Sequence, residues 1–303
     1  MNNTQICVLG GTGFVGHHLL NALAAAGYSC RVPVTRPEGH RDLRLIPGCT
    51  LSPLNDWSTA ELAEAFSGCG TLINLAGILN EGKGRTFEGT HVDLVKNALE
   101  AARSANVRRY LHMSALNADA HAGPSEYLRT KGRGEALAHE AAESGIAVTS
   151  FRPSVIFGRG DSFFTRFAGL LRLVPGPFPL ACPNARFAPV YVGDVVQAML
   201  KTLTEPGTDG KSYELCGPRT FNLRELVEYT AARIGRKVQV VGLSDGLSRL
   251  QARGFQHLPG RPFTLDNYLS LQVNSGCAKN GLGVLGIRPT DIDVVVPSYL
   301  GQG

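Results

Sequence analysis

The sequence predicts an α/β chain: a doubly wound parallel sheet with a smaller, interleaved carboxyl-terminal lid domain. Three observations predict it. Short β-like runs alternate with helix-like segments through the first half of the chain. A glycine cluster, "VLGGTGFVGHHLL" at residues 8–20, joins the first run to the first helical stretch. After about residue 155 the alternation loosens and Pro and Gly become frequent. Such alternation places helices on both faces of a parallel sheet. The 303 residues are 43% hydrophobic and 18% charged, enough for one large core or two modest ones.

In chain order the runs are QICVLGG (5–11), a helix over 14–26, SCRVPVT (29–35), a helix over 59–67, TLINLAG (71–77), a helix over 89–104, RRYLHMS (108–114), a helix over 125–143 and AVTSFRPS (147–154). Beyond them FAPVYVG reads as a strand, and VVQAMLKTL and LRELVEYTAARIG as helices. Residues 1–155 are therefore expected to form the sheet domain, with later segments returning to it up to about residue 200. Residues 156–303 are expected to supply the lid.

Gly10, Gly13 and Gly16 have the spacing G-x-x-G-x-x-G, with Gly11 beside them, after a strand and before the helical LLNALAAAG. Lacking side chains, such a loop turns tightly and lets backbone N–H groups approach a pyrophosphate, aided by the positive end of the helix. Gly10, Thr12, Gly13, Phe14, Val15 and Gly16 are thus the expected dinucleotide-binding residues. A glycine-rich turn that only packs helix on strand is the plainer alternative. An NAD-specific site places an acid at the end of the second strand, where this chain reads Val34, Thr35, Arg36. Arg36 suits a 2′-phosphate, so NADP(H) is favoured over NAD(H). Asp56 and Trp57 follow the third strand, where an acid can meet the adenine amino group or cap the next helix. Asn74, Ala76 and Gly77 end the fourth strand, where small residues let the cofactor cross the sheet edge.

Tyr127 and Lys131 stand four apart in the helical SEYLRTKGRGE, so they share one face. A nearby ammonium lowers a phenol's pKa, and the pair then moves a proton while hydride moves to or from nicotinamide. Lys131 is also placed to bond the nicotinamide ribose. Ser114, thirteen residues before Tyr127, ends a strand where its hydroxyl is expected to hold a substrate carbonyl. A packed ring beside a solvated amine is the plainer reading of Tyr127 and Lys131 alone.

The glycine loop, NLAG and Ser/Tyr-x-x-x-Lys together resemble the extended, atypical short-chain dehydrogenase/reductase superfamily over roughly residues 5 to 200. HMSALNADA, SEYLRTKGRGE and FRPSVIFGRGDSFFTRFA are similar, more narrowly, to the accessory subunit of respiratory complex I of that type and its free-standing bacterial relatives. The resemblance implies a Rossmann-type domain with tightly bound NADP(H) and a small carboxyl-terminal domain. In the complex I subunit it implies a cofactor role that is structural rather than catalytic. It also implies that the RPSVIFGRGD loop runs past the nicotinamide, with Pro153 fixing its direction and Ser154 bonding the carboxamide. A turn that merely ends a strand is the alternative. The link of such proteins with quinone metabolism points to a quinone or isoprenoid substrate. Asp194, in PVYVGDVVQAM, is expected to cap a helix beginning near Val195.

Net charge is +5, without any run of five or six like charges, which favours small anionic ligands over nucleic acid. Seven cysteines form no Cys-x-x-Cys pair or metal-ligand spacing, so reduced thiols in a cytoplasmic chain, and no metal, are expected. The amino terminus shows no secretion signal. The apolar stretch 163–181 contains Arg166, Arg172 and three prolines, which excludes a membrane span but leaves peripheral contact at the inner membrane face open. Aromatic and arginine residues from about 244 onward are candidates for bordering a cavity or an apolar membrane surface. Three functions compete: an NADP(H)-dependent oxidoreductase on a small-molecule substrate, a non-catalytic cofactor-binding sensor or respiratory-complex assembly module, and a nucleotide-sugar epimerase or dehydratase. Oligomeric state is not legible.

Overall fold

The computed structural model describes residues 5–82, 84–174 and 176–301. The first six strands and four helices alternate except between the second and third strands, which are joined by a 3-10 segment over Pro37–Leu45. They are β1 (Gln5–Leu9), α1 (Phe14–Ala25), β2 (Ser29–Val34), β3 (Cys49–Pro53), α2 (Thr59–Phe66), β4 (Thr71–Asn74), α3 (Leu94–Ser104), β5 (Arg109–Met113), α4 (Glu126–Glu140) and β6 (Ala147–Pro153). The chain then forms β7 (Ile156–Phe157), α5 (Phe164–Leu173), β8 (Phe178–Leu180), β9 (Arg186–Phe187), β10 (Val190–Tyr191), α6 (Val192–Thr204) and β11 (Lys211–Leu215). It ends with β12 (Phe221–Asn222), α7 (Leu223–Arg233), β13 (Val240–Gly242), α8 (Asp245–Phe255), α9 (Leu265–Ser270), α10 (Gly281–Val284), α11 (Ile292–Val295) and α12 (Pro297–Leu300).

Seven strands form one sheet in the order β11-β6-β5-β4-β1-β2-β3, all parallel. From β1 the chain winds outward through β2 and β3, then returns to the other side of β1 with β4. The order reverses between β1 and β4, and the crevice beyond their carboxyl ends is where this fold receives ligands. Alternation along β1 shows why both faces are covered. Ile6 and Val8 enter the core with Leu19, Leu20 and Leu23 of α1, whereas Cys7 and Leu9 enter the opposite core with Leu62, Phe66 and Val95. The lid has its own apolar clusters, one around Phe157, Phe164 and Leu226 and another around Leu171, Leu180 and Val227.

Several expectations need adjusting. The return to the sheet runs past residue 200, because β11 pairs with β6 and Leu282 and Leu285 join the core beneath it. The helix expected from residue 89 opens with a wide turn over Gly89–Asp93 and becomes regular only at Leu94. FAPVYVG is two short strands parted at Pro189, which has no N–H to give a ladder. Asp194 does not cap a helix starting near Val195. The helix already starts at Val192, and the Asp194 carboxylate accepts bonds from the Thr290 backbone N–H (2.7 Å) and hydroxyl (2.9 Å).

The thiols are not all reduced: Cys216 and Cys277, 61 residues apart, form a disulfide. The topology causes this, since Glu214 accepts from the Ala278 and Lys279 amides and Asn280 bonds both backbone groups of Cys216. Residues 277–280 therefore lie along the end of β11. The other five cysteines are free.

Candidate active site

Each glycine of the loop after β1 has its own steric reason. Gly10 takes φ +73°, and a Cβ there would lie 2.8 Å from the Ala76 nitrogen at the end of β4. At Gly16 a Cβ would meet the Gly11 carbonyl oxygen at 2.3 Å, so this glycine lets α1 close onto the loop. Gly13 differs, because a Cβ there would meet only the Gly10 oxygen, at 3.3 Å. Its N–H donates to that oxygen (3.0 Å), and it is the N-cap of α1 without any side-chain cap. The first N–H groups of α1 are left facing the β1–β4 crevice, while Phe14 and Val15 pack their side chains on the core and Thr12 stands partly exposed between. A cradle of this kind fits a dinucleotide pyrophosphate.

Arg36 is exposed two residues beyond β2. Trp57 is exposed, and its carbonyl accepts from Asn97. Asp56, also exposed, accepts from the Ser58 N–H (2.9 Å); Ser58 rather than Asp56 occupies the N-cap of α2. Asn74 is buried, accepting from the Ala76 N–H (3.0 Å) and donating to the Tyr110 hydroxyl (2.9 Å). Those bonds use it to shape the strand end. Ala76 packs beneath the loop, and Gly77 faces Lys131: a Cβ on Gly77 would lie 3.0 Å from its Nζ. Pro153 ends β6. The Ser154 hydroxyl donates to the Ser275 carbonyl (2.8 Å) and accepts from the Ala188 N–H (3.3 Å).

Tyr127 and Lys131 do share a face of α4. Lys131 is buried, and its Nζ donates to the Met113 carbonyl at 2.9 Å. Burial pushes its pKa down to about 8, opposed by the charge of Glu135. The expected lowering of the tyrosine is reversed. Burial, reinforced by the facing Asp266 carboxylate, pushes Tyr127 up to about 12. Asp266 comes from α9 of the lid and accepts from the Glu126 (2.7 Å) and Tyr127 (3.3 Å) amides, so it also caps α4. His91 stands edge-on to Tyr127, ring centroids 5.6 Å apart. Its Nε2 accepts from the Ile78 N–H and its Nδ1 therefore carries the proton facing Thr130; burial holds its pKa down at about 2, so it is neutral.

The structure does not bring Ser114 to Tyr127. Ser114 is buried, its hydroxyl against Glu135 without a well-aligned bond among the described residues. Burial pushes the Glu135 carboxyl up, but Arg152, Ser114 and Ser212 together hold it below the usual carboxylate range. Tyr127 packs instead against the apolar group of Ala115, Ala118 and Leu128. Successive residues of an extended chain face opposite ways, so one step of register puts a methyl where a hydroxyl was expected.

A cavity of about 250 Å³ adjoins this site, lined by Asn80, Glu81, Phe87, Gln256, His257, Arg261, Thr264 and Asp266. Phe87 and Asp266 connect it to Tyr127. Its walls are clasped together, because the Arg261 guanidinium donates to the Glu81 carbonyl (2.8 Å) and Asn80 donates to the Arg261 carbonyl (3.2 Å). Of the aromatic and arginine residues from 244 onward, Arg261 borders this cavity. Sequence reasoning missed Asp266, which is 139 residues from Tyr127 and carries no local signal. It also passed over Glu135, although its i+4 spacing from Lys131 was visible. Among the described residues no cluster of His, Cys, Asp or Glu is arranged to hold a metal, and no helix is long and apolar enough to cross a membrane.

A glycine loop at the topological switch point, opening on a helix-borne Tyr-x-x-x-Lys pair, defines a nucleotide-binding protein of the short-chain dehydrogenase/reductase type. The chain belongs to the NAD dependent epimerase/dehydratase family, whose model matches residues 6–223. It is similar to the mitochondrial NADH dehydrogenase [ubiquinone] 1 alpha subcomplex subunit 9 of Dictyostelium discoideum, 32% identical over 73% of this chain and 61% of that one. It therefore spans less than two thirds of that relative. The ceramide reductase of Caulobacter vibrioides is 32% identical over 79% of this chain and 74% of its own. Among solved structures, the NADPH-dependent quinone oxidoreductase of Escherichia coli superposes with a TM-score of 0.75, at 20% identity, over 98% of this chain and 100% of that one.

Proposed function

We propose that the chain is an NADP(H)-dependent oxidoreductase that reduces a carbonyl or quinone on an apolar, lipid-like molecule. The observation that carries this is the placement of Tyr127 and buried Lys131 on one face of α4, between the glycine crevice and the cavity. The loop N–H groups at Gly13–Gly16 would hold the pyrophosphate, Arg36 the 2′-phosphate and Lys131 the nicotinamide ribose. When bound there, the cofactor supplies hydride. Tyr127, protonated at neutral pH, would donate its proton to a substrate oxygen as the substrate takes up hydride, giving the alcohol from a ketone or the hydroquinone from a quinone. His91 and Phe87 pack edge-on against the ring, and Asp266 holds the backbone N–H of the same residue. The lipid-like class is supported by the name of the Caulobacter relative and by Phe255 and Leu258, exposed apolar residues on either side of the cavity-lining Gln256 and His257.

Replacing Tyr127 with Phe tests the reading. NADPH oxidation by long-chain ketones and quinones should fall at least ~100-fold, as expected for loss of a general acid. Calorimetric NADPH affinity should stay within about threefold, since the phenol is not among the groups assigned to the cofactor. A specific observation favours a second reading, in which the cofactor is held without turnover, as in a module associated with a respiratory complex. Ala115 stands in the group beside Tyr127 where a polarising hydroxyl was expected. Under that reading wild type binds NADPH and oxidises it with no substrate. The cavity sets Glu81 and Asp266 beside Arg261, a mixed lining that does not select for the diphosphate of a nucleotide sugar, so the epimerase reading ranks behind the other two.

A further inference from the structure

We propose that α8 and the turn following it form a docking face for an anionic lipid bilayer. This deepens the reading above, as the route by which an apolar substrate reaches the cavity, but it rests on a separate surface. The inward side of α8 is small and tightly held. Ala252 is fully buried, and the Ser248 hydroxyl accepts from the Cys182 N–H at 3.1 Å. The outward side is apolar where a water-facing helix would be polar. Leu247 is 52% exposed, Leu250 63% and Leu258 48%, with Gly254 continuing the same line and Phe255 beside it at 39%. Spacings of three and four residues keep Leu247, Leu250 and Gly254 on one face of α8, and Leu258 follows in the turn beyond it.

Arg249 and Arg253, one turn apart, flank the stripe, and neither makes an ion pair or hydrogen bond among the described residues. The one acid of α8, Asp245, is occupied by the Tyr268 hydroxyl at 2.6 Å. An apolar stripe with unpaired arginines at its edge is the arrangement of a helix lying in a membrane interface: leucines enter the acyl boundary while guanidinium groups extend to phosphates. The unpaired positive charge favours an anionic bilayer over a neutral apolar partner. The stripe also runs directly into Gln256, His257 and Arg261, which line the cavity beside Tyr127. A face docked this way opens the cavity toward the bilayer.

Flotation of the full chain with vesicles tests this, using phosphatidylglycerol-containing and pure phosphatidylcholine vesicles, with Leu247→Ser/Leu250→Ser and Arg249→Gln/Arg253→Gln variants alongside. NADPH affinity serves as the control for folding, since none of these four side chains belongs to the cofactor site. Wild type should bind anionic vesicles at least about tenfold more strongly than neutral ones. The leucine variant should lose at least about tenfold of that partition, and the arginine variant should lose the preference for anionic lipid. The proposal is overturned if wild type stays unbound, or if the leucine variant partitions like wild type. It is also overturned if the chain is a dimer in solution that the leucine variant converts to monomer without wild type floating, because a second copy would then cover the face. Flotation without NADPH turnover would leave docking standing and remove the oxidoreductase reading.

Discussion

The glycine loop makes a prediction in which two chemically identical substitutions part company. In Gly16→Ala the new Cβ falls 2.3 Å from the Gly11 oxygen and 2.5 Å from its carbon, both backbone atoms that cannot swing aside. Overpacking of this kind costs roughly 1–3 kcal/mol, which for a chain of this size lowers Tm by about 2–8 °C. In Gly13→Ala the Cβ meets one oxygen at 3.3 Å, and the backbone, φ −85° and ψ 178°, suits any residue. The loss of a favourable cap residue and the reduced freedom of the unfolded chain nearly cancel, so stability should change by less than about 0.5 kcal/mol. That Cβ nevertheless stands at the mouth of the N–H cradle. Displacing one phosphate from a charge-assisted bond costs about 1.5–3 kcal/mol, or roughly 10- to 150-fold in NADPH affinity. Differential scanning calorimetry and NADPH titration of both variants read the two effects separately. If Gly13→Ala binds NADPH as wild type does, the loop is a packing turn and the dinucleotide assignment fails.

Two further outcomes follow from the same site. Arg36→Ser should weaken NADPH by about 10- to 100-fold through loss of the pairing with the 2′-phosphate, while NADH affinity stays within about twofold; equal losses for both would place Arg36 outside the cofactor site. Lys131 titrates at about 8 in the free protein, and an acceptor placed against its ammonium raises that value. It is charged with or without cofactor well below pH 8, but above pH 8 it is neutral when free and charged when bound. NADPH binding at pH 8.5 should therefore take up most of a proton and at pH 6.5 almost none. Calorimetry in two buffers of different ionisation enthalpy measures this, and equal uptake at both pH values would remove Lys131 from the cofactor.

What was legible in the sequence is what short-range patterning controls. Short, near-continuous apolar runs between helix-length segments point to a parallel sheet buried on both faces, and the loop glycines are spaced by the turn they make, so strand, loop and α1 could be read together. The Tyr127–Lys131 spacing was legible for the same reason, one helical turn. Ser114 was misplaced because its direction depends on a single step of register at the end of β5, which no window of sequence resolves. The lowering assigned to Tyr127 counted only the nearby ammonium; it omitted the desolvation of a packed ring and a carboxylate arriving from α9. Cys216 and Cys277 joined because β11 returns to the sheet edge, and that return is a matter of topology rather than of local composition.

Burial of its ring, with the Asp266 carboxylate beside it, decides whether Tyr127 gives or takes a proton. A phenol held near 12 is tyrosinate in only about one molecule in 10⁵ at pH 7, so at that pH Tyr127 is a proton donor and hardly ever an acceptor. Lys131 does little to alter this, because its ammonium is spent on the Met113 carbonyl rather than on the phenol. Under the proposed function a reduction needs the proton that Tyr127 already carries. The tyrosinate left behind is a strong base that is reprotonated readily from water. An oxidation would have to begin from the rare tyrosinate. Burial of the ring, reinforced by the lid carboxylate that caps α4, thus keeps the proton on Tyr127, and under the proposed function the tyrosine enters the reaction as its donor.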